Sequence, residues 1–180
     1  MGKWLLTFFL VIAMGFVVYW VMLWNGMYSF LFAWTLNFFL MAAVLFGTQL
    51  IKPRLVSNYF NLKRWEKGGK IYEWMGVNFF RKSLVWVGWE KLNKKENPVK
   101  KNPNALIHLE YGTRQSEFGH LIIFSIVLAF TIFVSVRSGI LHSLWLISLN
   151  ILLNFYPIML QRYNRPRIQN LLRNYYHKTI

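Results

Sequence analysis

Four long apolar blocks constrain the fold more strongly than any other feature of this sequence. They cover about residues 4–24, 28–51, 118–136 and 140–160, and most of the charged residues lie between and beyond them. Each block is long enough to supply the roughly 20 residues of helix that cross the hydrocarbon core of a bilayer. Because lipid offers the backbone no hydrogen-bond partner, such spans are helical. The sequence therefore predicts an all-α integral membrane protein with four transmembrane helices.

The connections between neighbouring blocks are short. The turn dipeptide Asn25-Gly26 joins the first two blocks into a helical hairpin, and Arg137-Ser138-Gly139 separates the last two. The first block is too long for the apolar region of a signal peptide, so we expect it to be retained as a span. A chain of 180 residues has room for one domain, and we predict a single membrane domain over residues 1–180.

Lysine and arginine set the expected orientation in the membrane. The chain has 21 of them against 6 acidic residues, which gives a net charge of +15. Apart from Lys3 and Arg137, they all lie in the middle segment 52–117 and in the tail 161–180. The positive-inside rule therefore places both termini, the middle segment and the tail in the cytoplasm.

The middle segment mixes these cations with aromatic side chains, a combination typical of the lipid headgroup layer. We predict interfacial amphipathic helices between the second and third spans, and a short one after the fourth span that begins beyond Pro166. Residues 91–103 are predicted to form a solvated loop, since they hold several lysines and Asn-Pro twice. The interleaved aromatic residues are Trp65, Tyr72, Trp74, Phe79, Phe80, Trp86 and Trp89.

The composition also excludes several kinds of site. The chain has no cysteine, which excludes disulfides, thiolate metal ligands and a cysteine nucleophile. His108, His142 and His177 are too scattered to indicate a metal site, so no metal is expected. The positive charge would suit nucleic acid, but no motif of a nucleic-acid reader is present and no such partner is expected. An anionic membrane surface explains the charge better.

Glu117 and His120 are the candidate catalytic residues. Together with Thr113 they fall on one face of a helix that enters the third span. A carboxylate near an imidazole orients the ring and raises its basicity, as a general base requires. The alternative is an ion pair at the helix entry or a headgroup contact, and spacing alone leaves both open.

A stripe of polar residues follows the fourth span. It consists of Asn150, Asn154, Pro157 and Gln161. Amides within membrane helices face other helices rather than lipid. They would either join helices or line a cleft for a polar substrate, and Pro157 would free a backbone carbonyl there.

Three arginines follow directly after the fourth span. Arg162, Arg165 and Arg167 alternate with Asn164 and other polar residues, and arginine binds phosphate through two parallel hydrogen bonds. The segment predicts either an anion site or a plain basic anchor for the helix.

A second polar cluster, Glu66-Lys-Gly-Gly-Lys-Ile-Tyr72, lies in the middle segment. Acidic residues are scarce in this chain, so Glu66 either pairs with a nearby arginine or is a simple exposed charge. Gly68 and Gly69 allow a turn or a close backbone approach.

Three of these motifs resemble the glycosyl-4,4'-diaponeurosporenoate acyltransferase family, which acts last in the synthesis of staphyloxanthin-type carotenoids. The tail Gln161-Arg-Tyr-Asn-Arg-Pro-Arg-Ile-Gln-Asn-Leu-Leu-Arg173 is the densest likeness. Thr113-Arg-Gln-Ser-Glu-Phe-Gly-His120 is similar to a Thr-Lys/Arg-x-x-Glu-x-x-His stretch of the family, and the Glu66 cluster followed by Phe80-Arg81-Lys82 is similar to its Glu-x-x-Gly segment. The motifs occur in the family's order, whereas the first two spans share only general hydrophobicity with it.

The resemblance implies an enzyme of the bacterial inner membrane that transfers a fatty acyl group from a thioester to a sugar hydroxyl of a glycosylated carotenoid or a related glycolipid. The donor, expected to be acyl-CoA, would be a co-substrate, and no resident cofactor is expected. Carried over by motif, Glu117 and His120 would be catalytic. The expected substrate-binding residues are Arg114, Asn154, Arg162, Asn164, Arg165, Arg167, Glu66 and Tyr72.

Alternative functions remain at this point. A non-catalytic protein that binds lipid or serves as a scaffold for a biosynthetic complex would use the same cationic and aromatic residues. A small transporter is disfavoured because the spans carry no charge at mid-depth and the sequence shows no inverted repeat. The expected partners are membrane lipids, a lipophilic glycosylated acceptor and the acyl donor, and a homo-oligomer would bury more of a thin bundle.

Overall fold

The structure, a computed structural model, describes residues 2–88 and 102–178. This part of the chain is helical throughout its regular elements and holds no strand, as predicted. The α-helices are α1 Gly2–Asn25, α2 Phe30–Ile51, α3 Lys70–Trp74, α4 Val77–Trp86, α5 Pro103–Ser138, α6 Leu144–Asn150 and α7 Tyr156–Lys178. Short 3-10 helices cover Asn58–Phe60, Arg64–Gly69 and Ile140–Ser143, and a π-helix covers Ile151–Phe155.

Four helical stretches are long and apolar enough to cross a membrane, which confirms the predicted number of spans. They are Trp4–Asn25, Phe30–Ile51, Pro103–Ser138 and the unbroken run Ile140–His177. The first two agree with the predicted blocks within two residues at each end.

The third and fourth stretches extend well beyond the predicted blocks. α5 begins at Pro103, and the last helix continues through Pro166 instead of starting anew after it. Hydropathy marks only the apolar part of a helix, whereas polar turns also stay helical when their side chains have buried partners. The loop predicted over 91–103 lies almost entirely outside the described residues.

The chain divides into two compact units, which are described separately. Unit 1 consists of Met1–Pro53 and Phe118–Phe155, and unit 2 consists of Arg54–Glu117 and Tyr156–Ile180. The prediction of a single membrane domain stays a prediction.

Unit 1 contains the hairpin of α1 and α2, and the turn predicted at Asn25-Gly26 is present. Gly26 has φ 72°, a left-handed conformation that glycine adopts without strain. Ser29 caps α2 by accepting a hydrogen bond of 3.1 Å from the backbone N–H of Phe32. α2 packs against the later helices of the unit through a core of Phe32, Ala33, Leu36, Ile123, Val127, Val134, Leu146 and Leu149.

Unit 2 is built around α7, which packs against α3 and α4. α4 is amphipathic, because Val77 and Phe80 are buried whereas Phe79 and Trp86 are 79% and 94% exposed. The ring of Phe80 stacks on Tyr156 of α7 with 5.2 Å between centroids. The interfacial position expected for this helix remains a prediction.

Candidate functional site

Unit 2 holds a buried group of two carboxylates and two arginines, here named the charge cluster: Glu66, Glu117, Arg162 and Arg165. Arg162 donates from Nη2 to Glu66 at 2.6 Å and from Nη1 to Glu117 at 2.7 Å. Its Nε lies 3.4 Å from the second oxygen of Glu66. The guanidinium of Arg162 therefore forms a two-point contact with Glu66 and a single bond to Glu117.

Arg165 completes the cluster from the next turn of α7. It donates to the second oxygen of Glu117, so that both oxygens of this carboxylate accept from arginines. Its Nε donates to the hydroxyl of Thr113 at 3.0 Å, and its Nη1 donates to the backbone carbonyl of Phe60 at 2.8 Å. Helical spacing explains the convergence, because Thr113 and Glu117 share one face of α5 while Arg162 and Arg165 share one face of α7.

The charges of the cluster balance and are shielded from water. Glu66 and Glu117 are 0% exposed, Arg165 is 1% exposed and Arg162 is 8% exposed. Removing four charged groups from water costs several kcal/mol for each ion, and only complete pairing offsets that cost. The pairing is complete, since no buried side-chain nitrogen or oxygen within the described residues lacks a hydrogen-bond partner.

Two tyrosines border the cluster and remain neutral at physiological pH. Burial, and next the negative charge of Glu66, raise the pKa of Tyr72 to about 12. Burial and the charge of Glu117 also raise the pKa of Tyr59. The hydroxyl of Tyr72 accepts a hydrogen bond of 3.1 Å from Nε of Arg162, and the ring of Tyr59 lies 5.1 Å from that guanidinium. The tyrosines thus extend the cluster without adding charge.

Glu66 reaches the cluster because the chain around it turns tightly. Lys67, Gly68 and Gly69 have consecutive positive φ values of 48°, 66° and 92°. A Cβ on Gly69 would lie 3.4 Å from the backbone of Tyr163 in α7. Glycine at position 69 therefore permits both the left-handed backbone and the close approach to α7.

We expect Gly69→Ala to destabilise unit 2 by about 1–2 kcal/mol, the usual cost of a left-handed conformation for a residue with a Cβ. Thermal unfolding in detergent would measure the change. Gly112→Ala is the matched control, because Gly112 lies in α5 with nothing within 4 Å of the added Cβ. Alanine at that helical position is expected to stabilise the protein slightly. Equal stabilities for the two variants would contradict this account of the turn.

Unit 1 holds a second buried polar group, a chain of amides that ends on His120. Asn154, 2% exposed, donates from Nδ2 to Asn37 at 2.7 Å and to Asn150 at 2.9 Å. Its Oδ1 lies 3.3 Å from Nδ1 of His120. Asn37 and Asn150 donate in turn to the backbone carbonyls of Ala33 and Phe124, at 2.8 and 3.1 Å.

The amide chain fixes the tautomer of the neutral histidine. A backbone carbonyl only accepts, so Asn37 and Asn150 must turn their NH₂ groups to Ala33 and Phe124 and their oxygens to Asn154. Asn154 must then donate to both and present its oxygen to His120. Nδ1 of the neutral ring consequently carries the hydrogen, and Nε2 keeps a lone pair that accepts a proton.

The backbone near Leu153 is irregular for a simple reason. A proline at position 157 has no N–H to donate to the carbonyl four residues earlier, which belongs to residue 153. The helix is a π-helix over Ile151–Phe155, which ends two residues before this proline. π-helical turns commonly occur at functional sites. The carbonyl that Pro157 was expected to leave without its helical donor therefore belongs to the segment that contacts His120.

The structure divides the predicted site residues into groups. Glu66, Tyr72, Glu117, Arg162 and Arg165 converge in unit 2, as described, and Glu66 has the arginine partner that was one of its two predicted roles. Glu117 has its partners in unit 2, and His120 has Asn154 as its partner in unit 1. The predicted support of His120 by Glu117 stays a prediction.

The remaining predicted residues lie apart from the charge cluster. Arg114 pairs with Glu110 at 2.8 Å and donates to the carbonyl of Leu55. Arg167 pairs with the half-exposed Glu73 at 3.0 Å. Asn164 is partly exposed on α7.

Two structural partners escaped the sequence analysis. Asn37 is the one amide inside an otherwise apolar part of α2, and this contrast was the signal that it faces other helices. Phe60 contributes a backbone carbonyl to Arg165, and no sequence signal indicates such a role.

The four apolar helices and the two buried polar groups define a helical protein of membrane type. Charged and amide side chains are held between its helices. The chain belongs to the glycosyl-4,4'-diaponeurosporenoate acyltransferase family, whose model matches residues 56–174. It is therefore an acyltransferase of carotenoid biosynthesis. No curated protein and no solved structure matches the chain. The matched range includes both polar groups except Asn37, and it leaves out α1 and α2.

Proposed function

We propose that this protein transfers a fatty acyl group from an acyl thioester to a sugar hydroxyl of a glycosylated carotenoid or a related glycolipid, while embedded in the bacterial inner membrane. Membership in an acyltransferase family supports the reaction class and sets aside the scaffold alternative. The acceptor and the donor are inferred from the family's description and from the chemistry of the site.

The observation that carries the proposal is the contact of His120 with Asn154, whose Oδ1 lies 3.3 Å from Nδ1 of the ring. The amide orientations argued above assign the ring hydrogen to Nδ1, and Nε2 is then the nitrogen able to take a proton. The side chain is partly exposed. Asn154, initially expected to bind substrate, is assigned the task of positioning this base.

The reaction proceeds by direct transfer. Nε2 of His120 takes the proton of the sugar hydroxyl while the hydroxyl oxygen attacks the thioester carbonyl. The tetrahedral adduct collapses as its C–S bond breaks, and the departing thiolate takes the proton from Nε2. One ester and one free thiol form, and the enzyme returns to its starting state. No covalent enzyme intermediate or resident cofactor takes part.

The charge cluster has a supporting role in this proposal. Arg162 and Arg165 were expected to hold phosphate, but each already pairs with a carboxylate. We assign both arginines, with Glu66 and Glu117, to holding α7 and the middle segment of unit 2 together. We therefore expect other cations to bind the acyl donor.

The orientation in the membrane follows from the distribution of charge. With both termini and the basic segments 52–117 and 161–180 in the cytoplasm, the enzyme meets thioesters made there. The exposed aromatic residues Trp74, Phe79 and Trp86 suit a position in the headgroup layer.

Ester formation by the purified protein tests the proposal. The full chain in liposomes receives a glycosylated carotenoid and either a fatty acyl-CoA or a fatty acyl carrier protein. Mass spectrometry should detect an acceptor heavier by one acyl group, with one thiol released per ester. Acyl transfer to an amine or to glycerol, or no ester with either donor and a range of glycosylated acceptors, would overturn it. Liposomes without protein control for uncatalysed transfer.

A further inference from the structure

Every carboxylate of the described residues is already paired with an arginine. The pairs are Glu66–Arg162, Glu117–Arg162, Glu117–Arg165, Glu110–Arg114 and Glu73–Arg167. Among the residues whose side chains the structure describes, no lysine has a carboxylate partner. The described lysines of unit 2 are thus available to anions from outside the protein.

Four cations without a carboxylate partner among the described residues concentrate in one short segment, residues 63–70, here named the basic turn. Nζ of Lys63 donates to the carbonyl of Asn58 at 2.9 Å, and Nζ of Lys67 lies 5.9 Å from the ring centroid of Trp74, so their present contacts are with uncharged groups. Lys63, Arg64, Lys67 and Lys70 are all exposed. The single carboxylate of the segment, Glu66, is 0% exposed and faces Arg162. In the basic turn the carboxylate is therefore buried, whereas the four cations are exposed.

The basic turn is held in a defined conformation. Glu66 accepts from the backbone N–H of Lys63 at 3.2 Å while it also pairs with Arg162. The three left-handed residues 67–69 follow directly, and Gly69 packs against α7. A segment fixed in this way loses little conformational freedom when it binds a ligand.

We propose that the basic turn binds the phosphates of the coenzyme A part of the acyl donor, an inference that rests on the proposed function. Coenzyme A carries a diphosphate and a 3′-phosphate on one adenosine, so several negative charges arrive together. Lysine ammonium groups bind phosphate as compact point charges. Trp65, 59% exposed in the same turn, offers a ring on which the adenine stacks.

Anionic lipid headgroups are the other source of phosphate near such a protein. The four cations lie within eight consecutive residues, and this density favours one ligand with several phosphates over separate lipids with about one charge each. Binding of lipid phosphate instead is an outcome of the test below.

The test measures binding of free coenzyme A to the full chain in nanodiscs of zwitterionic lipid. Lys67→Gln/Lys70→Gln should weaken binding by about 10-fold or more, because two charge-assisted contacts are lost. Arg81→Gln/Lys82→Gln removes the same charge from exposed positions on α4 and should change the affinity by less than about 3-fold. Dephospho-coenzyme A should bind the wild type more weakly than coenzyme A. Thermal unfolding confirms that both variants are folded.

Two results would overturn the proposal: an unchanged affinity for coenzyme A in the turn variant, or equal losses in both variants. An unchanged affinity for coenzyme A together with weaker binding of the turn variant to vesicles of anionic lipid would assign the turn to lipid phosphate. Because binding is measured without acceptor or turnover, its outcome is separate from that of the ester assay. Ester formation from a carrier-protein thioester without coenzyme A binding would reject this site and keep the proposed function.

Discussion

Glu117→Ala is expected to destabilise unit 2, lowering its free energy of unfolding by roughly 3–5 kcal/mol, the usual effect of removing one partner from buried ion pairs. The change leaves Arg162 and Arg165 with Glu66 as their only carboxylate. Arg165, 1% exposed, would then carry an unpaired charge away from water. Thermal unfolding of the detergent-solubilised protein, followed by tryptophan fluorescence, measures the loss.

Two comparisons make this result specific. Glu73→Ala breaks the half-exposed pair with Arg167 and should cost at most about 1 kcal/mol. Glu117→Met/Arg165→Met removes one charge of each sign and leaves the neutral pair of Glu66 and Arg162, so much of the stability should return. If Glu117→Ala were no worse than Glu73→Ala, the charge cluster would not stabilise unit 2 as argued.

His120→Ala is expected to reduce turnover by about 10²–10⁴-fold, the typical contribution of a general base. The protein should remain folded, because loss of the ring leaves the amide hydrogen bonds of Asn154 to Asn37 and Asn150 intact. Initial rates of ester formation at saturating donor measure the effect.

A second substitution at His120 separates catalysis from packing. His120→Gln keeps an N–H that can donate to Asn154 but has no group able to take a proton, so it should be as inactive as the alanine variant. His142→Ala is the control: His142 is exposed beside the ring of Tyr28 and should be nearly fully active when replaced. Near-normal turnover by either His120 variant would reject this residue as the base.

The spans were predictable because their signal is local. Each apolar block is uninterrupted, and Gly26 marks the turn between the first two with the positive φ that the dipeptide suggested. The extended ends of α5 and α7 were not predictable in this way. They are polar segments that stay helical because Thr113, Glu117 and the two arginines contact one another across the unit, and hydropathy carries no information about such contacts.

The sequence indicated the residues of the charge cluster but not their pairing. The scarcity of acidic residues drew attention to Glu66, helical spacing singled out Glu117, and the density of arginines after the fourth span singled out Arg162 and Arg165. Nothing in a single sequence showed that these four residues meet, because pairing depends on how the helices pack. The contact of Asn154 with His120 was missed for the same reason, since it too depends on how the helices pack.

The charge cluster also has a consequence for how the protein is made. Glu66 leaves the ribosome 96 residues before Arg162, its partner, and the carbonyl of Phe60 precedes Arg165 by 105 residues. Because translation proceeds from the N-terminus, Glu66 and Glu117 lack their arginine partners until the last helix is synthesised. A chain terminated before Arg162 would contain every membrane-spanning block and still be unable to neutralise Glu66 and Glu117. Completion of translation is therefore a condition for unit 2 to fold, and truncated products would be exposed to proteolytic quality control.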